Sequence, residues 1–293
     1  MTEVSGKPVV GHLLDRLAAC PGVDQVAIAT STKPEDDEIE RYGRAAGAGV
    51  YRGDPEDVLA RITGAAEHFD ADAVAEVGGD CPFVDPPLVE RAISEYLESG
   101  ADVASNALVE PFTYPVGYEL VVASVDALRS ARADATLTSE RHQPFQYHVK
   151  HPERFRIQAF AQEGSLNHWR WTLDYPEDLK LVRAVYGELY DEDPLFGLER
   201  IEVLLSQKPQ LARINSSRAE PVSVATVWYT GSFVREAHVD IERLLGQARD
   251  AEERRDHAAA VDSYRQATEL LDELIRRGEH LGSEAAKPEA ASP

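Results

Sequence analysis

Through the first two thirds of the chain, apolar segments of strand length alternate with amphipathic segments of helix length. This alternation constrains the fold more than any single motif. A first helix is read at about 8–19, and "VDQVAIAT" (23–30) is a mostly apolar strand. "PEDDEIERYGRAAG" follows as a helix whose acidic first turn suits the positive end of its dipole. After the short strand "GVYRG", "DPEDVLARITGAAEHF" is read as a helix with Asp54 as N-cap, Pro55 at the first helical position and Asp57 at the third. "ADAVAEVG" is the next strand and "PPLVERAISEYLESG" the next helix, ended by Gly100. Repeated strand–helix–strand units build a mainly parallel sheet covered by helices.

From about 101 to 175 the pattern loosens. "DVASNAL", "VGYELVVA", "RFRIQAFA" and "HWRWTLD" read as strands, with helices at about 124–133 and 139–150, a mixed-sheet half that supplies the second side of a cleft. Two helices, "PEDLKLVRAVYGELY" and "GLERIEVLLSQKP", lead to a boundary at "ARINSSRAEP", so the main domain is expected over 1–216. Residues 217–235 contain "VSVATVWYTG", a linker or an extra strand, and 236–280 form a charged, alanine-rich helical stretch with a break near Asp256 and His257. Ala260, Tyr264 and Ala267 have the spacing of the second helix of a tetratricopeptide repeat, but one repeat cannot bury its own face, and a plain helical hairpin fits equally. The tail 281–293 is expected to be disordered.

Composition removes several functional classes. A net charge of −22 leaves no basic face with which to displace counterions from nucleic acid. No stretch approaches the roughly 20 apolar residues that span a bilayer, and "MTEVSGKPVV" has no basic start followed by an apolar run, so a cytoplasmic protein is expected. Cys20 and Cys81 lack metal-type spacing and read as small buried hydrophobes.

Ligands collect at the carboxyl ends of strands in such a sheet. "EVGGDCPFVDPPLVE" (76–90) lies at one of these ends: Gly78 and Gly79 permit close backbone approach, Asp80 offers oxygen to a hard divalent cation, and the prolines stiffen the exit. The bland reading is that Asp80 only caps a turn. "HWRWTLDYPEDL" (168–179) again ends a strand in an aspartate, Asp174. Two such carboxylates can share one Mg²⁺ with a nucleotide's phosphates. Glu177 and Asp178, just inside the next helix, read as residues favoured by its dipole.

In order, "GKPVVGHLLDRL", "VDQVAIATS", "VYRGDPEDVLAR", "GGDCPFVDPPLVE", "SERHQPFQYHVKHPERFRI", "HWRWTLDYPEDLKLVRAVY" and "LARIN" resemble the SpsF group within the CMP-sugar cytidylyltransferases, the family that makes CMP-Kdo and CMP-sialic acid. The resemblance covers about residues 4–215. It implies a Rossmann-like three-layer α/β/α nucleotidyltransferase, glycosyltransferase-A-like, here with a C-terminal helical appendage. It also implies attack of a sugar hydroxyl on the α-phosphate of CTP, with release of pyrophosphate and help from Mg²⁺. Asp80 and Asp174 fall where the related synthetases place their metal-binding carboxylates, and Tyr118, Glu119, Arg141, His142 and Arg170 would line the sugar side. Arg141 and His142 could instead brace a helix, and Trp169 and Trp171 read as core or cleft-wall aromatics. A homodimer is the family tendency, and the C-terminal helices could take a protein partner.

Family members begin with a strand and a loop resembling I-x-A-R-x-x-S-x-R-L-P-x-K that grips CTP. That stretch does not occur here, and Lys7 matches the later "GKPLL" segment instead. Either Met1 is an internal position of a longer reading frame, or the chain is a paralogue without this triphosphate grip. In the second case the sheet is expected to lack a central member, leaving neighbouring strands with unpaired groups unless another segment such as "VSVATVWYTG" fills the gap. The alternative function is a noncatalytic scaffold built on a degenerate transferase domain. An inverting glycosyltransferase has less support, since "DAD" (70–72) precedes its strand rather than ending one.

Overall fold

A computed structural model describes residues 1–108, 112–218 and 232–285, the side chains of 232–239, 242 and 272–285 excepted. The chain divides into two compact units, residues 1–135 with 140–228, and residues 136–139 with 229–293.

The larger unit opens on a small hairpin of β1 (Glu3–Val4) and β2 (Lys7–Pro8), followed by α1 (Val9–Ala18). Then come β3 (Ala27–Ser31), α2 (Asp37–Ala45), β4 (Gly49–Gly53), α3 (Val58–His68), β5 (Ala73–Glu76) and α4 (Pro86–Ser99). This is the alternation read from the sequence, and Gly100 ends α4 in the left-handed conformation. The start of α3 lies later than expected. Asp54 accepts the Glu56 and Asp57 amides at 2.7 and 3.1 Å, holding a turn ahead of the helix, and Asp57 is the N-cap that accepts the Ala60 amide at 2.8 Å. Asp54 and Pro55 therefore stay outside the helix because an aspartate turn competes for the same amides.

The looser half contributes β6 (Val103–Ser105), β7 (Val121–Ser124), α5 (Val125–Asp134), α6 (Thr138–His142), α7 (Gln146–Lys150), β8 (Ile157–Ala159), α8 (Pro176–Leu189), α9 (Leu198–Gln207) and α10 (Pro209–Ala212). The single helix expected at 139–150 is two short ones, since Pro144 lies between them and lacks the amide a continuous helix needs. The strand expected at "HWRWTLD" is reduced to one parallel bridge between Val116 and Arg170.

β3 pairs with β4 in parallel, from Ala27↔Gly49 to Ser31↔Gly53. A separate four-stranded sheet has the order β5-β7-β6-β8, with β7 antiparallel to both neighbours and β6 parallel to β8. Among the described residues no pairing joins the two sheets, so β3 and β5 each keep an unpaired edge, the interruption expected from the sequence. Burial follows pairing: Val103, Ala104, Val121 and Ala123 are fully buried, whereas Ile28, Ala29, Val74 and Ala75 are only partly so. One core gathers Phe83, Trp171, Tyr186 and Phe196 with α1, α4, α8 and α9, and another packs Leu59 and Ile62 of α3 against Val103, Val121 and Leu128.

The second unit contains α11 (Ser232–Glu253) and α12 (His257–Ala285), with the break where the sequence put it. Leu244, Ala248, Ala251, Ala260, Ala267 and Leu270 are buried, while Tyr264 is 37% exposed. Tyr264 thus does not share the buried position of Ala260 and Ala267, and the two helices form a helical hairpin. Buried Asp240 accepts the Thr138 and Ser139 amides at 3.0 and 3.2 Å. "VSVATVWYTG" and residues 286–293 lie outside the described residues.

Candidate active site

β5 runs through Val77 into the turn that carries Asp80, closed by the Cys81 amide donating to the Gly78 carbonyl at 3.1 Å. Of the two glycines only Gly78 is crowded: a Cβ there would stand 2.6 Å from Asp80 Oδ1 and push that carboxylate aside, while Gly79 meets open space. Pro86 and Pro87 open α4, so the rigid exit is the first turn of a helix.

The second aspartate-bearing loop is tied to this turn directly. The Leu173 amide donates to the Asp80 carbonyl at 2.8 Å, which sets the residue next to Asp174 against Asp80 itself. Burial, and then the charge of Asp174, push the Asp80 carboxyl above its ordinary range, although Asp80 remains open to solvent. A carboxylate that water reaches while protein surrounds most of it suits a ligand in an open recess.

Two further carboxylates feel Asp80. Glu76, in β5, is pushed up to about 7 by burial and by Asp80. Glu119 is also pushed up to about 7, mainly by burial, with Asp80 and Glu76 adding to the effect and the Gly117 amide, 2.7 Å from its Oε2, opposing it. Glu119 Oε1 is sealed from solvent without a hydrogen-bond partner. Burial and mutual repulsion therefore disfavour the ionised forms of Asp80, Glu76 and Glu119 together.

Arg170 supplies a cation. It ion-pairs with Asp174, and its Nε lies 3.6 Å from Asp178 Oδ2. Asp178 is fully buried: Oδ2 accepts the Asp174 and Tyr175 amides at 3.1 and 3.0 Å, and Oδ1 accepts from Asn215 Nδ2 at 2.8 Å. The dipole reading of Asp178 was incomplete, because its carboxylate also holds the backbone of Asp174. Trp169 and Trp171 stack 5.4 Å apart at 17° and, with Leu181, Leu205 and Asn215, line a cavity of about 150 Å³ behind Arg170.

The structure thus brings Gly78, Gly79, Asp80, Glu119, Asp174 and Arg170 into one neighbourhood. Tyr118 is sealed in the core, edge-on to Trp171 at 5.3 Å. Arg141 pairs with Asp57 at 2.6 Å and donates to the Arg132 carbonyl at 3.2 Å, an arrangement that braces α3 and α5, and His142 is half-buried at the end of α6. Lys7 is paired with Asp15, in keeping with its separation from the phosphate-gripping lysine. Sequence reasoning missed Glu76, whose signal was a lone carboxylate in an apolar strand, and Asn215, whose only signal was its place at the end of "LARIN".

Among the described residues no three His, Cys, Asp or Glu side chains form a self-sufficient metal site. Two hard carboxylates close enough for the charge of Asp174 to act on Asp80 do fit an ion that takes its remaining oxygens from phosphate and water.

The cytidylyltransferase sequence profile matches residues 1–208. The chain belongs to the cytidylyltransferase family. As a cytidylyltransferase it resembles the spore coat polysaccharide biosynthesis protein SpsF of Bacillus subtilis, 27% identical over 196 residues, 64% of this chain and 78% of that one. An uncharacterized protein of Methanocaldococcus jannaschii is 27% identical over 225 residues, 74% of this chain and 87% of the relative. A solved cytidylyltransferase from Leptospira borgpetersenii superposes with a TM-score of 0.67 at 21% identity, covering 72% of this chain and 87% of that one, which supports the Rossmann-like nucleotidyltransferase fold. Membership of this family supports nucleotidyltransferase activity, and among the described residues no helix is long and apolar enough to cross a membrane.

Proposed function

We propose that the protein transfers CMP from CTP to a hydroxyl of a sugar, releasing pyrophosphate, and that the product feeds a surface polysaccharide or glycoconjugate. Family membership supports the CTP-dependent step, and the spore coat polysaccharide role of the Bacillus subtilis relative supports the destination. The observation that carries the assignment of residues is the bond from the Leu173 amide to the Asp80 carbonyl at 2.8 Å, which joins the two aspartate loops.

In this reading Asp80 and Asp174 hold Mg²⁺, which when bound offsets the negative charge of the phosphates. Asp178 and Asn215 keep the Asp174 loop in place. Gly78 and Gly79 let the nucleotide approach the backbone, Glu119 and Arg170 face the acceptor, and Arg141, His142 and Tyr118 shape its surroundings from farther back. No covalent nucleophile is needed, because positioning and charge stabilisation account for transfer of this kind.

The test is pyrophosphate release from CTP, with UTP and ATP as controls, across a panel of sugars with Mg²⁺ or with EDTA. Release that is CTP-specific, sugar-dependent and abolished by EDTA is expected. A noncatalytic scaffold is the competing reading, favoured by the unpaired edges of β3 and β5. Absence of CTP binding in the presence of Mg²⁺ would decide for it.

A further inference from the structure

We infer that Arg170 is a placeholder cation on Asp174 and that Asp178 is the carboxylate that receives it when a divalent ion arrives. This rests on the proposed role of Asp174 as a metal ligand.

The guanidinium of Arg170 touches Asp174 Oδ2 through Nη2, so it covers an oxygen that an incoming ion would need. Its Nε has no hydrogen-bond partner although it is buried, and Asp178 Oδ2 lies 3.6 Å from it. An ordinary N–H···O bond is about 2.9 Å long, so a shift below about 1 Å completes the bond to Asp178. Both ends of the exchange are held still. The Asp178 carboxylate is fixed by the Asp174 and Tyr175 amides and by Asn215, and these bonds hold the Asp174 backbone as well. The guanidinium carbon lies 5.3 Å from the centre of the Tyr175 ring, a face along which a flat cation can slide.

Charge makes the exchange favourable. Asp178 has no exposed side-chain surface, and a buried carboxylate is costly unless a cation accompanies it. With Arg170 shared between two carboxylates, neither is fully compensated. A divalent ion on Asp174 leaves the guanidinium to Asp178 alone, so each carboxylate then has its own cation. Without the ion, Arg170 stops Asp174 from facing Asp80 as a bare like charge.

The experiment is Mn²⁺ binding to the full chain, without and with CTP and with Mn²⁺–CTP lacking protein as control, followed by the electron paramagnetic resonance signal of free Mn²⁺ and by intrinsic tryptophan fluorescence. Arg170→Gln is expected to bind Mn²⁺ several-fold more tightly than the unmodified protein, Arg170→Lys to stay close to it, and Asp174→Asn to lose binding. In a crystal structure of the unmodified protein with Mn²⁺, Arg170 is expected to be hydrogen-bonded to Asp178 and to have left Asp174. Mn²⁺ that binds through Asp174 with an affinity indifferent to Arg170, or Arg170 still seated on Asp174 beside the bound ion, overturns the placeholder alone. Failure of both the unmodified protein and Arg170→Gln to bind Mn²⁺, with CTP as well as without it, overturns the metal role of Asp174 and the placeholder with it.

Discussion

The backbone of Trp171 passes so close to Gly117 that a Cβ on Gly117 would stand 2.9 Å from the Trp171 carbonyl carbon. Gly117 also has φ of +99°, a region that side chains rarely adopt. The two segments are bridged there by Val116 and Trp169, whose carbonyl accepts the Val116 amide at 2.9 Å. Gly117→Ala is therefore expected to cost about 1–3 kcal/mol of stability, measured by urea unfolding. Because the same bridge aligns the segment leading to Asp174, pyrophosphate release should fall along with stability.

Asp80→Asn and Asp174→Asn should each lower pyrophosphate release from CTP by roughly 100-fold or more, the scale seen when one preorganised electrostatic contact to a transition state is removed. Asp80→Asn should also be slightly more stable than the unmodified protein at pH 8 in EDTA, since it relieves the burial and like charge that raise Asp80. A protein that loses stability and keeps its activity would contradict both expectations.

Burial lifts Glu119 from an ordinary 4.5 to about 7, so the folded protein holds this proton more tightly than the unfolded chain does. The group accordingly costs stability as pH rises from about 4.5 through 7, and costs it fully above that range. Glu119→Gln keeps an acceptor for the Gly117 amide and removes the charge. Its melting temperature should exceed that of the unmodified protein at pH 8 and match it near pH 4, with EDTA present throughout.

Hydrogen exchange should show the sheet interruption residue by residue. The bonds from the Gly49 amide to the Val26 carbonyl and from the Thr32 amide to the Gly53 carbonyl set the phase of β3, so Ile28 and Thr30 donate toward β4 while Ala27 and Ala29 point away. The bond from the Val125 amide to the Asp72 carbonyl sets β5 likewise, with Val74 and Glu76 toward β7 and Ala73 and Ala75 away. Fast exchange at the four alanines beside protected neighbours is expected in NMR. Uniform protection would mean that both edges are covered in solution.

Arg141 and Asp57 meet at 2.6 Å, and Asp57 also caps α3. A double-mutant cycle of Arg141→Ala and Asp57→Asn should give a stability coupling of about 0.5–1 kcal/mol. Arg141→Ala alone should leave the KM for the sugar unchanged if bracing is its role. A raised sugar KM with unchanged stability would move Arg141 to the cleft.

Local patterns carried much of this molecule. The acidic first turn of α2, the left-handed Gly100 after α4, Pro176 opening α8 and the break before His257 were all legible, since each depends on residues within a turn or two of one another. The same locality explains where the reading slipped. Asp54 and Asp57 are equally good caps in sequence, and only the competition for the Glu56 and Asp57 amides selects between them. "HWRWTLD" has strand composition, yet a strand needs a neighbour along its length, and Val116 offers a single bridge.

What the sequence by itself determined is the succession of strands and helices and the placing of Asp80 and Asp174 beyond apolar segments, because hydrophobic periodicity and end signals act over a few residues. What only the tertiary structure decided is the company those residues keep: Leu173 on Asp80, Arg170 shared between Asp174 and Asp178, Asn215 donating to Asp178 and to the Arg170 carbonyl, and Glu76 and Glu119 joined to the same charge cluster. Such pairings depend on strand order and register, which are settled by burying surfaces far apart in the chain. No short window of sequence contains the partner whose field shifts a carboxylate or whose backbone fills its last hydrogen bond.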